Sequence, residues 1–231
     1  MATRRVPARR RRLVRTGRQA AGLGVVAMLT VVLARSTTTA AFTAATGDTG
    51  NRVTAAGSFC ASASSSTVNV SEDTSVFQSS AGANTGATTS LTVISATSAH
   101  TWSLIRFTPM PVIPPGCGLI SATLSLHASA PQGSRYIEVS RVDPATPWTE
   151  LGVNWTTRPQ SAGTPVSSPS LTVAGLQTWN VTSLMPALYA GTNNGFLIRD
   201  QTDDANPAKS QSYVSSEGTA TQVPTLTVSW G

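Results

Sequence analysis

The stretch Ala122–Ala128 reads ATLSLHA and alternates apolar and polar side chains with a period of two residues. Leu124 and Leu126 fall on one face, whereas Thr123 and Ser125 fall on the other. Because successive side chains of a strand point to opposite faces, the pattern predicts a β-strand with one buried face. Similar runs follow at Ser90–Ser95, Trp102–Phe107, Tyr136–Val142, Gly195–Arg199, Gln211–Ser215 and Thr225–Trp230.

Clusters of Pro, Gly, Ser and Asn separate these runs and predict turns. They lie at Ser79–Gly86, Pro109–Gly118, Pro131–Ser134, Pro159–Pro169 and Thr202–Ala208. One segment, Thr182–Ala190, has a helical pattern with Gly191 as a stop, and Pro186 limits it to about two turns. The sequence therefore predicts an all-β protein, an antiparallel β-sandwich of jelly-roll type with one short helix.

The positive charge belongs to the amino terminus. The chain has 231 residues, with 16 Lys and Arg against 10 Asp and Glu, and eight of the cations are arginines within the first 18 residues. From residue 41 onward seven cations face all ten acidic residues, so that part carries 7 − 10 = −3. This distribution argues against a nucleic-acid partner. Only 11% of the residues are charged, so Ser and Thr supply the polarity of the surface.

An uncharged run, Ala20–Ala34, follows the arginines and precedes a zone of small residues. A basic region, an apolar region and a small-residue zone are the parts of a secretory signal peptide. We expect residues 1–40 to be that signal, 41–66 a flexible leader, and 67–231 one domain that is secreted or held at the cell surface. An uncleaved membrane anchor would need about 18 or more apolar residues, so we expect no membrane association after cleavage. The adjacent arginines leave a twin-arginine export route open.

Cys60 and Cys117 are the two cysteines of the chain. In an exported protein, two cysteines predict one disulfide, which would clip the leader onto the domain. With two thiols and no matching histidines nearby, the pair is not typical of a zinc site.

Groups that could carry out catalysis are scarce. The chain has two histidines and no nucleophile motif of the GxSxG type near either. Acids for glycoside hydrolysis would come from Glu138, Glu150, Asp200 and Glu217, but their spacing selects no pair. We therefore expect no enzymatic activity.

Asp200, Asp203 and Asp204 form an acidic cluster directly after a predicted strand. Calcium is a hard cation that takes six to eight oxygen ligands, so the cluster predicts a calcium site, which Glu72 and Asp73 could join in space. An ordinary solvated turn is the alternative, because Asp is itself a turn residue.

Five tryptophans stand out among few other aromatic residues. Trp102 and Trp230 occupy alternating strand positions, which predicts that they fill the core. Trp148 and Trp155 lie in a loop-rich stretch together with Asn154 and Arg158. Aromatic faces stack on sugar rings, and amide groups supply directional hydrogen bonds. These four residues are the candidate carbohydrate contacts, with core filling as the alternative for both tryptophans.

The order of these blocks resembles the bacterial DNRLRE domain, which is similar to carbohydrate-binding module family 96. The residues that carry the resemblance are Trp148–Glu150, Val153, Trp155, Arg158, Pro159 and Asn193–Asp200. The leader from Ala41 is weakly similar to precursors of biofilm fibres that a dedicated signal peptidase processes. The resemblance implies an extracellular β-sandwich without catalysis, usually an accessory to polysaccharide-active or cell-surface proteins.

Arg106 lies in an apolar strand and needs a carboxylate partner if it is buried. Glu217 or Glu150 would serve, and we expect an ion pair between Arg106 and Glu217. Where the family usually has Ser-Arg-Glu, this chain has Ser215, Ser216 and Glu217, which favours a neutral glycan, or no glycan, over an acidic one. The sequence therefore predicts a secreted, non-catalytic module that binds a polysaccharide or cell-wall glycan. A structural or adhesive cell-surface protein is the alternative.

Overall fold

The computed structural model describes residues 59–202 and 204–231. The expected signal peptide and the leader up to residue 58 lie outside the described residues. Within them, no helix is both long enough and apolar enough to cross a bilayer. The strands are β1 (Ser64–Asn69), β2 (Glu72–Phe77), β3 (Ser90–Ser95), β4 (Thr101–Arg106), β5 (Leu119–Ala130), β6 (Tyr136–Val142), β7 (Ser161–Pro169), β8 (Gly175–Asn180), β9 (Phe196–Asp200), β10 (Lys209–Val214) and β11 (Thr225–Trp230). Helix α1 (Met185–Ala190) continues a 3-10 turn, Thr182–Leu184.

The strands pair antiparallel along one curled path. Its order is β1-β11-β5-β10-β3-β4-β9-β6-β7, with β2 beside β4 and β8 beside β5. The two halves of the path pack on a shared core, where the indole N–H of Trp179 in β8 donates to the carbonyl oxygen of Ile137 in β6 at 2.8 Å. The expected antiparallel β-sandwich with one short helix is confirmed.

The main core lies between the two halves. Leu124 and Leu126 of β5 are fully buried, as their alternation with polar residues predicts. The rings of Trp179 and Tyr213 meet edge to face with centroids 6.1 Å apart. Burial raises the pKa of the Tyr213 phenol well above its ordinary value. Helix α1 adds the buried Met185 to the same cluster.

Strand β7 corrects one expectation. The turn predicted at Pro159–Pro169 is wrong over most of its length, because Ser161–Pro169 pairs with β6. This strand ends the hydrogen-bonded path, and an edge strand tolerates proline because one row of its backbone groups needs no partner. Strand β1 also begins at Ser64, three positions before the expected start of the domain.

A second apolar cluster covers the opposite face of β2, β4 and β9. We call residues 143–160, which join β6 to β7, the cover loop. It contributes Trp148 and Val153 to this cluster. The strands contribute Val76, Trp102, Leu104, Val142 and Leu197. Because both faces of β4 and β9 are covered, their side chains are buried in nearly continuous runs rather than in alternation.

Cys60 and Cys117 form the expected disulfide. Cys60 precedes β1, and Cys117 lies in the connection between β4 and β5. The bond therefore ties the amino-terminal end of the described chain to the sandwich, as predicted.

Candidate functional site

The cover loop brings together the four predicted carbohydrate contacts. Connections longer than about 12–15 residues without secondary structure of their own are uncommon in compact domains and usually functional. The cover loop exceeds that length, and it lies over the outer face of the sheet instead of extending into solvent. The length and position of the cover loop therefore indicate a functional segment.

Trp148 anchors this loop from below. Its side chain is buried, and its indole N–H donates to the carbonyl oxygen of Asn194 at 2.8 Å. Asn194 in turn donates its amide to the carbonyl of Asp143 at 2.9 Å. The next residue, Gly195, has φ +77°, and a Cβ there would lie 2.0 Å from the carbonyl oxygen of Ile105, so only glycine fits. Trp148 thus fills a core, and its ring faces are not open for stacking on a sugar.

Trp155 is half-buried and contacts the side chains of Arg158, Trp102 and His100. The guanidinium carbon of Arg158 lies 3.7 Å from the centre of its ring and 4.7 Å from that of Trp102. The ring of His100 stacks against Trp155 with centroids 6.4 Å apart. Arg158 also donates to the carbonyl oxygen of Trp155 at 2.6 Å. Burial lowers the pKa of Arg158, but an arginine remains cationic in proteins.

Asn154 closes a turn. Its Oδ1 accepts the backbone N–H groups of Thr156 and Thr157 at 2.9 and 3.1 Å. The hydroxyl of Thr157 accepts the N–H of Asn154 at 3.1 Å. The side chain that was expected to contact a glycan therefore shapes the backbone beside it.

An open cleft of about 340 Å³ lies within the cover loop. It is lined by Pro147, Trp148, Thr149, Gly152, Val153 and Thr157. The walls combine apolar surface with two hydroxyl groups, and the volume falls at the small end of ligand sites, which run from about 300 to 1,000 Å³. The two threonines and the glycine were not predicted as site residues, because nothing in their sequence distinguishes them from other loop residues.

A short turn outside the cover loop holds it in place. We call residues 81–86 the clasp turn. Asn84 donates its amide to the carbonyl oxygens of Glu150 and Val153, both at 2.7 Å. The carbonyl of Ala81 accepts the N–H of Thr156 at 3.2 Å. Sequence reasoning missed these contacts because they join residues about 70 positions apart.

The partner of Arg106 is Glu72, and the expected pair with Glu217 is wrong. Glu72 lies directly opposite Arg106 in the register of β2 and β4, and the two form an ion pair. The Arg106 guanidinium also lies 5.0 Å from the ring centre of Trp148. Glu217 instead accepts hydrogen bonds from the hydroxyls of Ser215 and Ser216. A cross-strand neighbour presents its carboxylate without any loop having to bend toward the arginine.

Three carboxyl groups converge at the same end of β2, next to Glu72. Asp73, Glu150 and Glu217 each place one oxygen within 4.8 Å of the others, and among the described residues this is the group that could hold a divalent cation. Asp73 is buried and accepts the N–H and hydroxyl of Ser216. Its own N–H donates to Glu150 at 2.8 Å. Burial, and to a lesser extent the charges of Glu217 and Glu150, raise the pKa of Asp73 to about 7, against the opposing hydrogen bonds.

The acidic cluster after β9 serves a different purpose in part. Asp200 is buried and receives two hydrogen bonds from Arg135, at 2.8 and 2.6 Å, one on each carboxylate oxygen. Asp204 lies 3.4 Å from Nε2 of His100, and Asp203 lies outside the described residues. Asp200 therefore has a cationic side chain as its partner, and calcium binding by Asp200, Asp203 and Asp204 stays a prediction.

Comparison with known proteins agrees with this architecture. The family model for carbohydrate-binding module family 96 matches residues 64–230, from the first residue of β1 to the last of β11. A search of the curated proteins finds no match. Because the matched segment contains the whole sandwich, the cover loop and the clasp turn, the chain belongs to carbohydrate-binding module family 96.

Proposed function

We propose that this protein is a secreted, non-catalytic module that binds a polysaccharide or cell-wall glycan in the cleft of the cover loop. The observation that carries the proposal is the cleft itself, which opens in a chain of this family and combines apolar walls with two threonine side chains. Apolar surface beside a few hydroxyl groups suits a sugar ring, which has apolar C–H faces and a hydroxyl rim. The disulfide supports an extracellular location, since such bonds persist in oxidising compartments.

The charge around the cleft supports a neutral glycan. Its lining contains no ionisable side chain, and Arg158, the one cationic residue of the cover loop, lies against two tryptophan rings. An acidic polysaccharide would be bound more tightly by exposed arginine or lysine side chains. The serine at position 216, where related chains usually carry an arginine, fits the same interpretation.

Affinity electrophoresis of the purified protein through gels that contain neutral or acidic polysaccharides tests the proposal. Retardation by a neutral polysaccharide should be lost in Thr149→Met, because the longer side chain fills the cleft. The control is Thr178→Met, the same replacement at an exposed position on β8. Absence of retardation by every polysaccharide, or equal retardation of both variants, would reject the cleft. A reducing-sugar assay on the same panel should show no turnover.

A structural or adhesive role at the cell surface is the alternative. Large apolar side chains are exposed where the connection from β7 enters β8, since Val173 and Leu176 are 73% and 62% accessible. Such side chains favour contacts with another protein over contacts with a glycan. Fractionation of the producing cells separates the two functions, since an adhesive protein is retained in the envelope or matrix when free glycans are added.

A further inference from the structure

We propose that Asn84 is a positioning residue that holds one wall of the cleft, the segment 150–153, in its binding geometry. The inference rests on the proposed function, because it assigns a role to a residue outside the cleft in the binding that the cleft performs. Asn84 is exposed and lies in the clasp turn, 66 positions before Glu150 of the cover loop.

Both polar atoms of the Asn84 side chain have partners, and those of the amide nitrogen lie in the cover loop. The amide nitrogen donates to Glu150 and Val153, and Oδ1 accepts the N–H of Gly86 at 3.1 Å. The amide group thus donates one hydrogen bond to each end of the short segment 150–153. Gly152 and Val153 of that segment line the cleft, so the amide fixes the backbone from which one wall is built.

Gly86 shows how closely the clasp turn approaches the loop. A Cβ at this position would lie 2.5 Å from the carbonyl oxygen of Glu150, so a larger residue would push the two segments apart. The same carbonyl accepts the hydrogen bond from Asn84. Close backbone approach and a side-chain hydrogen bond therefore act on one atom of the cover loop.

The contacts within the segment do not hold it to the sheet. The N–H groups of Gly152 and Val153 both donate to the carbonyl of Thr149, which gives the segment a turn of its own. Without Asn84, that turn would keep its shape, but the backbone at Glu150 and Val153 would lose its direct hydrogen bonds to the clasp turn, and only the Asp73 N–H on the Glu150 side chain and the packing of Val153 would hold the segment to the sheet. The cleft would then be open in its binding geometry for only a fraction of the time, and the apparent affinity falls in proportion to that fraction.

Two variants separate positioning from folding. Asn84→Asp keeps the size of the side chain and the acceptor for Gly86 but removes both donors, and Asn84→Ala removes all three hydrogen bonds. The control is Asn180→Ala, since Asn180 is also exposed and its Oδ1 accepts two hydrogen bonds from Thr182. Hydrogen exchange of the amides in 150–157, thermal unfolding, and retardation by the polysaccharide that binds the unmodified protein are measured for each.

Both Asn84 variants should exchange amide hydrogens in 150–157 about tenfold faster and bind the polysaccharide about tenfold more weakly. Binding is measured far below the unfolding temperature, where a purely structural residue would leave it unchanged. Unchanged exchange in the segment, or unchanged affinity despite faster exchange, would overturn the inference. If the unmodified protein binds no polysaccharide, the proposed function fails, and a normal exchange rate in Asn84→Asp would separately show that Asn84 does not hold the loop.

Discussion

Replacing the buried carboxyl group of Asp73 with an amide should stabilise the protein at neutral and alkaline pH. In the folded protein the pKa of Asp73 is about 7, whereas the ordinary value is 3.8. Between these two values the folded state retains a proton that the unfolded state has released. Stability must therefore fall as the pH rises through this window, and it levels off above the folded pKa.

The size of the effect follows from the shift. One pKa unit corresponds to 1.36 kcal/mol, so Asp73 alone lowers the free energy of unfolding by roughly 3 kcal/mol between about pH 5 and pH 8. The amide introduced by Asp73→Asn would stay neutral throughout. Its oxygen can still accept the N–H of Ser216, and its NH₂ group would face the carboxylates of Glu217 and Glu150. We therefore expect Asp73→Asn to be more stable than the unmodified protein at pH 8 and similar to it at pH 5.

Urea unfolding followed by tryptophan fluorescence at several pH values, with EDTA present, measures how the free energy of unfolding of each protein depends on pH. The control is Asp143→Asn, which alters an aspartate whose carboxylate accepts the N–H of Ala145 in a turn. The control should keep the pH dependence of the unmodified protein, and Asp73→Asn should lose most of it. A slope that survives in Asp73→Asn, or a variant clearly less stable at pH 8, would show that Asp73 is a stabilising anion and refute the reasoning.

Three further predictions concern neighbouring residues. Glu72→Gln should lower the free energy of unfolding by about 1–2 kcal/mol, because it leaves the partly buried Arg106 without its carboxylate, whereas Glu217→Gln should change it by less than about 0.5 kcal/mol; the reverse order in urea unfolding would contradict the pairing. Trp148→Phe should lower the free energy of unfolding by about 2–3 kcal/mol, because it removes the hydrogen bond to Asn194 and part of the buried volume. Trp155→Phe should lower it by less, because Trp155 is less buried, and equal losses would show that Trp148 does not pin the loop. Millimolar Ca²⁺ should raise the unfolding temperature by binding to Asp73, Glu150 and Glu217. Glu150→Gln should abolish this increase, and Asp204→Asn should preserve it. An increase that is lost only in Asp204→Asn would place calcium in the loop after β9.

The fold was most predictable in strands with a strict alternation of residue types. In β3 and β11 the predicted bounds equal the observed ones, because burial on one side imposes a period of two on the sequence. Strand β7 escaped because it is an edge strand that lies mostly exposed. Its prolines and serines are compatible with an edge strand as well as with a turn, so the residue types alone could not distinguish an edge strand from a turn.

The role of the tryptophans could have been inferred from a signal in β4. Trp102, Leu104 and Ile105 place apolar side chains on both faces of that strand, which indicates a strand that is covered on both sides. Such a strand needs something to lie over its outer face. The tryptophan-rich loop was the available segment, so burial of Trp148 follows from the sequence of a strand that is distant from it in the chain.

Recognition of the family and location of the site draw on different parts of the same loop. The tryptophans, Asn154 and Arg158 carry the resemblance, yet Trp148 pins the loop, Asn154 shapes a turn, and Trp155 packs against Arg158 and His100. What remains open to a ligand is the surface between these anchors. The Thr157 hydroxyl already exchanges hydrogen bonds with Asn154, whereas Thr149 is exposed. Replacement of Thr149 should therefore alter glycan preference while the unfolding temperature stays nearly constant, and replacement of Thr157 should lower that temperature as well.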